Sequence, residues 1–128
     1  MAAGITPAAA AGCYGNTCTG LDPTAEGCNN VQTIDSVSDG DLTAQLRYSP
    51  DCYAVWVKII GPNDGQGYGG AVDGYTSKSN PYASVEYIAA PPSPGGNHSS
   101  MVSFHYWTKA CIAYSDFGWE TLNCTGFH

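Results

Sequence analysis

Apolar and polar side chains alternate with a period of two along several short segments, the pattern of half-buried strands. The clearest instance spans residues 41–60. There Leu42, Ala44, Leu46 and Tyr48 alternate with Thr43, Gln45, Arg47 and Ser49. Beyond Ser49-Pro50-Asp51, Cys52, Ala54 and Trp56 fall on one side of a second strand and Tyr53, Val55, Val57 and Ile59 on the other. A strand that is apolar on both sides is expected in the middle of a sheet. Upstream, residues 30–37 form a third strand, with Val31, Thr33 and Val37 on one face and Ile34 on the other. Ser38-Asp39-Gly40-Asp41 follows it, and Asp-Gly between two strand patterns is a strong hairpin signal. Residues 30–60 therefore predict a three-stranded meander.

Downstream the pattern thins. Residues 61–74 hold six glycines in fourteen positions, leaving room for a short strand around Ala71–Asp73. Residues 82–89 alternate Ala83, Val85, Tyr87 and Ala89 against Tyr82, Ser84, Glu86 and Ile88. Residues 90–97, with three prolines, read as a loop. Residues 101–114 alternate again but are long for one strand, which predicts a bulge or break near Thr108–Lys109. Phe117 and Trp119 lie in the tail. The fold class is all-β, a small disulfide-stabilised antiparallel sandwich or barrel of about six or seven short strands.

The composition agrees. Sixteen glycines, eight prolines, nine tyrosines and 12% charged residues are unlike a helical protein. A length of 128 residues predicts one domain over 13–128 behind a flexible Ala-rich arm, 1–12. The arm has no basic start and no long apolar run, so it reads as a mature N-terminus behind an added Met or as the tail of a removed signal. A formal charge of −7, with only Arg47, Lys58, Lys78 and Lys109 as cations, argues against a nucleic-acid partner. No apolar run approaches the roughly 20 residues of a spanning helix.

Six cysteines, an even number without a Cys-x-x-Cys, read as three disulfides made in an oxidising compartment. Fifteen pairings are formally possible. Joining sequence neighbours predicts Cys13–Cys18, Cys28–Cys52 and Cys111–Cys124, the last closing a loop worth about 3 kcal/mol. Residues 13–28 have no periodicity but many turn residues, including Asp22-Pro23, and read as a stapled loop covering the core.

Asp22-Pro23, Gly27-Cys28, Leu46-Arg47-Tyr48-Ser49, Cys52 and Trp56 together resemble domain-of-unknown-function family 2690, small secreted proteins of Gram-positive bacteria. The pattern is D-P-x-x-x-G-C, then L-R-Y-S-x-x-C-x-x-x-W, and the resemblance is firm over residues 13–60. It implies secretion by a bacterium and carries no established activity or catalytic residue.

Chemistry is harder to find. Ser99, Ser100 and Ser103 lie near His98 and His105, with Asp116 downstream, but no Gly-x-Ser-x-Gly or Ser-x-x-Lys accompanies them. A solvated His98 and a His105 that is simply part of a strand are the plainer expectation. Most of the eleven acids sit in turns; Glu86 is an exception, in a strand, and no partner for it is evident for glycoside hydrolysis. Asp39-Gly40-Asp41 and Asn63-Asp64-Gly65 offer oxygen ligands without EF-hand spacing, and the three histidines lack zinc spacing, so no metal or other cofactor is expected. Arg47 is expected to stack on an aromatic ring or pair with Asp51 or Glu86, and Trp56 to pack in the core against a disulfide.

What remains is composition. Residues 63–98 set tyrosines among glycines, serines and asparagines, the mixture that adaptable binding surfaces use. The reading is a secreted, non-enzymatic binding or assembly module for an extracellular protein or glycan. It would present the loops 61–76 and 90–98 and the arm, and the candidate contact residues are Tyr14, Tyr68, Tyr75, Tyr82 and His98. The alternative is a secreted inhibitor of an extracellular hydrolase, with the Cys13–Cys18 loop as bait; a small secreted hydrolase comes third.

Overall fold

The computed structural model describes residues 10–62, 67–90, 96–114 and 120–128. The described residues form nine strands and one 3-10 turn, Gly15–Cys18. The strands are β1 (Gln32–Asp39), β2 (Leu42–Ser49), β3 (Ala54–Ile60), β4 (Tyr68–Tyr75), β5 (Val85–Ala89), β6 (Asn97–His98), β7 (Val102–Ser103), β8 (Trp107–Tyr114) and β9 (Glu120–Cys124). They make two antiparallel sheets packed face to face, a sandwich and not a closed barrel. The first has the order β1-β2-β3-β6, with β7 also pairing β3; the second has the order β5-β4-β8-β9.

The meander forms as its alternation requires. Asp39 pairs with Leu42, so Gly40 and Asp41 are the two-residue turn, and Gly40 takes the positive φ (57°) that such a turn needs. Strand β1 runs two residues beyond the predicted 30–37 and starts at Gln32, because Asn30 turns into the left-handed region. Ala44, Leu46, Val55, Val57 and Ile59 of the first sheet meet Val72, Ala89, Ala110 and Ile112 of the second in the main core. The other side of β3 is apolar because it faces a second core. There Ala54, Trp56 and Met101 pack with Cys13, Cys18, Cys28 and Cys52. Trp56 thus lies against the two disulfides of the stapled loop, which roofs the outer face of the first sheet. The three bridges are Cys13–Cys18, Cys28–Cys52 and Cys111–Cys124.

Two expectations are corrected. The glycine-rich stretch is no short strand at 71–73: β4 is eight residues long and sits inside the second sheet. Its glycines mark where the sheets come closest. A Cβ on Gly70 would lie 3.0 Å from Val57 Cγ2, and one on Gly74 would lie 2.7 Å from Val102 Cγ1. The break in 101–114 is also earlier than Thr108–Lys109. The chain leaves the first sheet after Ser103, turns through 104–106, and enters the second at Trp107; β8 then pairs with β4 without interruption. The run is long because it is two strands of different sheets.

Arg47 pairs with neither predicted acid. Its guanidinium donates to Thr33 Oγ1 on the neighbouring strand, while Asp51 accepts from Asn30 and Glu86 lies on the other sheet. The arm is described only from residue 10, and Gly12 N–H donates to the Glu26 carbonyl at 2.8 Å. Asn63-Asp64-Gly65, residues 91–95 of the proline loop, Asp116, Phe117 and Trp119 lie outside the described residues.

Candidate functional site

One end of the sandwich gathers the β2–β3 turn, the 3-10 turn, the β7–β8 turn and the end of β4. The backbone there is specialised. Asn30 (φ 55°) and Tyr53 (φ 46°) are the two non-glycine residues with positive φ among the described residues, and both belong to this end. Such conformations are disfavoured for a bulky residue and persist where the surroundings over-determine them. The surroundings here are the Cys28–Cys52 bridge between the two residues, Ser49 Oγ donating to the Asn29 carbonyl at 2.6 Å, and Phe104 N–H donating to the Tyr53 carbonyl at 3.0 Å.

Tyr14 is held just as firmly. Its N–H donates to Thr17 Oγ1 at 2.8 Å, the Thr17 hydroxyl donates back to the Tyr14 carbonyl at 2.9 Å, and Gly15 N–H donates to the Cys52 carbonyl at 2.7 Å. The Tyr14 ring, 61% exposed, stacks on Tyr53 with centroids 5.7 Å apart and planes 17° from parallel. Tyr53 in turn meets His105 at 4.8 Å and Phe104 at 5.6 Å, both edge to face, and Phe104 meets Tyr48 at 4.8 Å. The aromatic groups continue from surface to core, so the exposed ring stands on a rigid base.

Two cavities open beside this stack. One, of about 470 Å³, is lined by Ala10, Ala11, Gly12, Cys13, Tyr14, Asn30 and Asp51. The other, of about 250 Å³, is lined by Asn16, Thr76, His105 and Tyr106. In the first, the Asn30 amide nitrogen lies 3.3 and 3.1 Å from the two Asp51 carboxylate oxygens, so the amide holds the carboxylate at the cavity wall. An exposed ring beside an amide–carboxylate pair is a surface with one apolar plane and directional hydrogen-bonding groups at its edge.

The predicted contact residues scatter. Tyr14 belongs to the site. Tyr68 is half-buried against Tyr114 at the opposite end, beside a smaller cavity lined by Asp39, Asp41, Leu42, Pro62 and Tyr68. Tyr75 is not a loop residue: it ends β4, is buried, and meets Phe127 edge to face at 5.1 Å. Tyr82 is 78% exposed on the β4–β5 connection and lines none of these cavities. His98 is no free loop residue either; it pairs in β6 and its Nε2 lies 2.9 Å from Asp22 Oδ1, tying the strand to the stapled loop. That contact, after the Ala25 N–H, helps hold the Asp22 carboxyl below its usual range.

The hydrolase constellation does not assemble among the described residues. Ser99 Oγ donates to the Ser100 carbonyl and accepts from Val57 N–H, and Ser103 Oγ accepts from His105 N–H. Glu86 does acquire a partner: it sits across from Asp73 of β4, which is in turn opposite Lys109 of β8. Asp73 is 3% exposed, and burial first, then the neighbouring Glu86 carboxyl, push it up to about 8 against the opposing pull of Lys109 and the Tyr75 hydroxyl. Its Oδ1 has no hydrogen-bond donor among the described residues. No cavity described above reaches the pair.

Sequence reasoning missed Asn30, Asp51 and Tyr53. Alternation places Tyr53 in a strand that begins one residue later, Asn30 reads as the start of the strand 30–37, and Asp51 reads as a turn residue. The available signal was the clustering of Asn29-Asn30 and Pro50-Asp51 beside the two halves of one predicted disulfide.

Fold and site together define a disulfide-stapled β-sandwich with an aromatic, cavity-flanked end. Residues 16–111 match the family described as protein of unknown function (DUF2690), and the chain belongs to that family. No curated protein and no solved structure matches the chain. The matched span includes Asn30, Asp51, Tyr53 and His105 and begins two residues after Tyr14. Among the described residues no helix is long and apolar enough to cross a membrane.

Proposed function

We propose that the protein is a secreted, non-enzymatic binding module that recognises an extracellular glycan at the aromatic end of the sandwich. The observation that carries this reading is the exposed, pre-stacked Tyr14 beside an open cavity whose polar wall is Asn30–Asp51. A sugar ring has an apolar face of C–H groups and an equatorial rim of hydroxyls. The face stacks on Tyr14. The rim meets Asp51, an acceptor for two adjacent hydroxyls, and Asn30, which can both donate and accept. Because disulfides and hydrogen bonds already fix these groups, little ordering entropy is lost on binding. Three disulfides agree with an oxidising, extracellular setting.

The Cys13–Cys18 loop itself favours this reading over a bait loop. It is a 3-10 turn with Gly15 and Cys18 buried, so it presents one aromatic ring and no extended segment that could enter a hydrolase cleft.

Isothermal titration against neutral polysaccharides tests the proposal. Tyr14→Ala should weaken binding at least tenfold, about 1.4 kcal/mol, with an unchanged circular dichroism spectrum. Binding by wild type that Tyr14→Ala and Asp51→Ala both leave intact would place the glycan elsewhere and end this reading.

A further inference from the structure

The two cavities lie on either side of one 3-10 turn. Tyr14, immediately before it, lines the larger, and Asn16, within it, lines the smaller. Between them Tyr14 stacks on Tyr53, and Tyr53 meets His105 edge to face, so one packed aromatic run joins the walls of both cavities. His105 closes the run and lines the second cavity. Resting on the glycan-binding reading, we propose that the ligand is a linear, uncharged oligosaccharide laid across this end of the sandwich. Its second subsite is formed by Asn16, Thr76, His105 and Tyr106.

Three features support this. The first is fixed spacing. A Cβ on Gly15 would come within 3.1 Å of the His105 ring, and Gly15 is bonded to the Cys52 carbonyl, so turn and imidazole are packed in contact and the cavities cannot drift apart. The second is chemistry. The second cavity offers an amide, a hydroxyl, an imidazole and a phenol, all suited to sugar hydroxyls. The third is charge. No lysine or arginine lines either cavity, and Asp51 lines the first, so a uronate, sulfate or phosphate group on the chain would go unpaired in a protein of net charge −7. Two adjoining subsites also turn the second contact into an intramolecular event, which raises affinity with chain length until both are filled.

A ladder of one to six sugars tests this by isothermal titration, with neutral β-glucan oligosaccharides, N-acetylglucosamine oligomers and an oligogalacturonate series as probes. Affinity for a neutral series should rise at least tenfold from the single sugar to the chain that fills both cavities, then level off. His105→Ala should remove the rise and also weaken the shortest ligands, because the imidazole supports Tyr53 beneath Tyr14. The paired surface substitutions Asn16→Ala and Thr76→Ala should flatten it too, without touching the aromatic stack. Tyr14→Ala should weaken every length. A flat ladder with Tyr14 dependence intact would overturn the two-subsite inference and leave the glycan-binding reading standing, whereas a protein that binds no sugar of any length would overturn that reading itself. Tighter binding of the oligogalacturonates than of their neutral counterparts would overturn the claim that the ligand is uncharged.

Discussion

The outer face of the first sheet is covered by a loop that is apolar and covalently closed, with Trp56 and Met101 beneath two disulfides. The outer face of the second sheet carries the row Glu86–Asp73–Lys109 across three strands and buries the central carboxyl. The second face has its own disulfide-bridged apolar cluster, Ala71, Cys111 and Ala113, so what sets it apart is the buried acid beside that cluster. Burial of apolar surface under a staple is indifferent to pH. Burial of an acid favours its proton-bound form and makes stability depend on pH. The first sheet is therefore the structural floor for the proposed binding end, and the second carries the larger dependence on pH.

Five variants would break or sharpen that contrast. The largest effect is expected from Trp56→Ala, which opens a cavity under the stapled loop and should lower unfolding free energy by about 3–5 kcal/mol, read from urea denaturation. Next is the double change Cys28→Ser with Cys52→Ser. The loop it releases spans a sequence separation of 24 and is worth about 3 kcal/mol in the chain-entropy model. Glycan binding should weaken with it, since Asn30 and Tyr53 lose the bridge that holds their backbone.

Asp73→Asn should act in the opposite direction. The folded-state pKa of about 8 lies above the ordinary value of 3.8, so the proton-bound native state is favoured fully below 3.8 and this advantage is lost as pH rises through 8. The variant should thus melt at the same temperature as wild type in acid and several degrees higher at pH 8, with the gap widening between. Equal melting temperatures at every pH would show that Asp73 is not the titrating group. The smallest effect belongs to the exposed pairs. His98→Ala and His128→Ala each remove one contact to an aspartate, at 2.9 and 2.7 Å, and should cost about 0.2–1 kcal/mol because solvent screens both. These histidines help hold the Asp22 and Asp35 carboxyls below their usual range, so their contribution should fade as pH falls below 3.8.

Much of this architecture was legible in the sequence because it rests on local alternation. Strands β2 and β3, the Asp39-Gly40 hairpin and the neighbour pairing of cysteines all follow from short-range pattern. The failures share a cause: they concern what one sheet does to the other. Gly69 and Gly70 look like loop residues until Val57 and Ile59 are seen pressing against the second of them. The turn at 104–106 is invisible because the residues on both sides alternate correctly, each for a different sheet. The candidate site was half legible. Its place in a stapled turn singles out Tyr14, which does line a cavity. Tyrosine-rich composition points equally to Tyr75, because composition cannot separate an exposed ring from one buried beside Phe127. Asn30, Asp51 and Tyr53 could not be assembled without the bridge that brings residues 28 and 52 together.

The close approach of the sheets at Gly70 and Gly74 has a consequence for how this chain can vary. Neither residue has a positive φ, so the backbone would accept alanine; only the volume of Val57, Val102 and Tyr106 opposes it. Gly126, where an added Cβ would meet nothing among the described residues, carries neither restriction there, and Gly40 is restricted by φ alone. In a saturation library the glycines should therefore separate into distinct tolerance classes: free replacement at 126, asparagine or aspartate at 40, alanine alone at 70 with a small shift of Val57, and no substitute at 74. A revertant of Gly74→Ala should carry a second change that shrinks Val102, and its recovery would trace the contact between the sheets genetically.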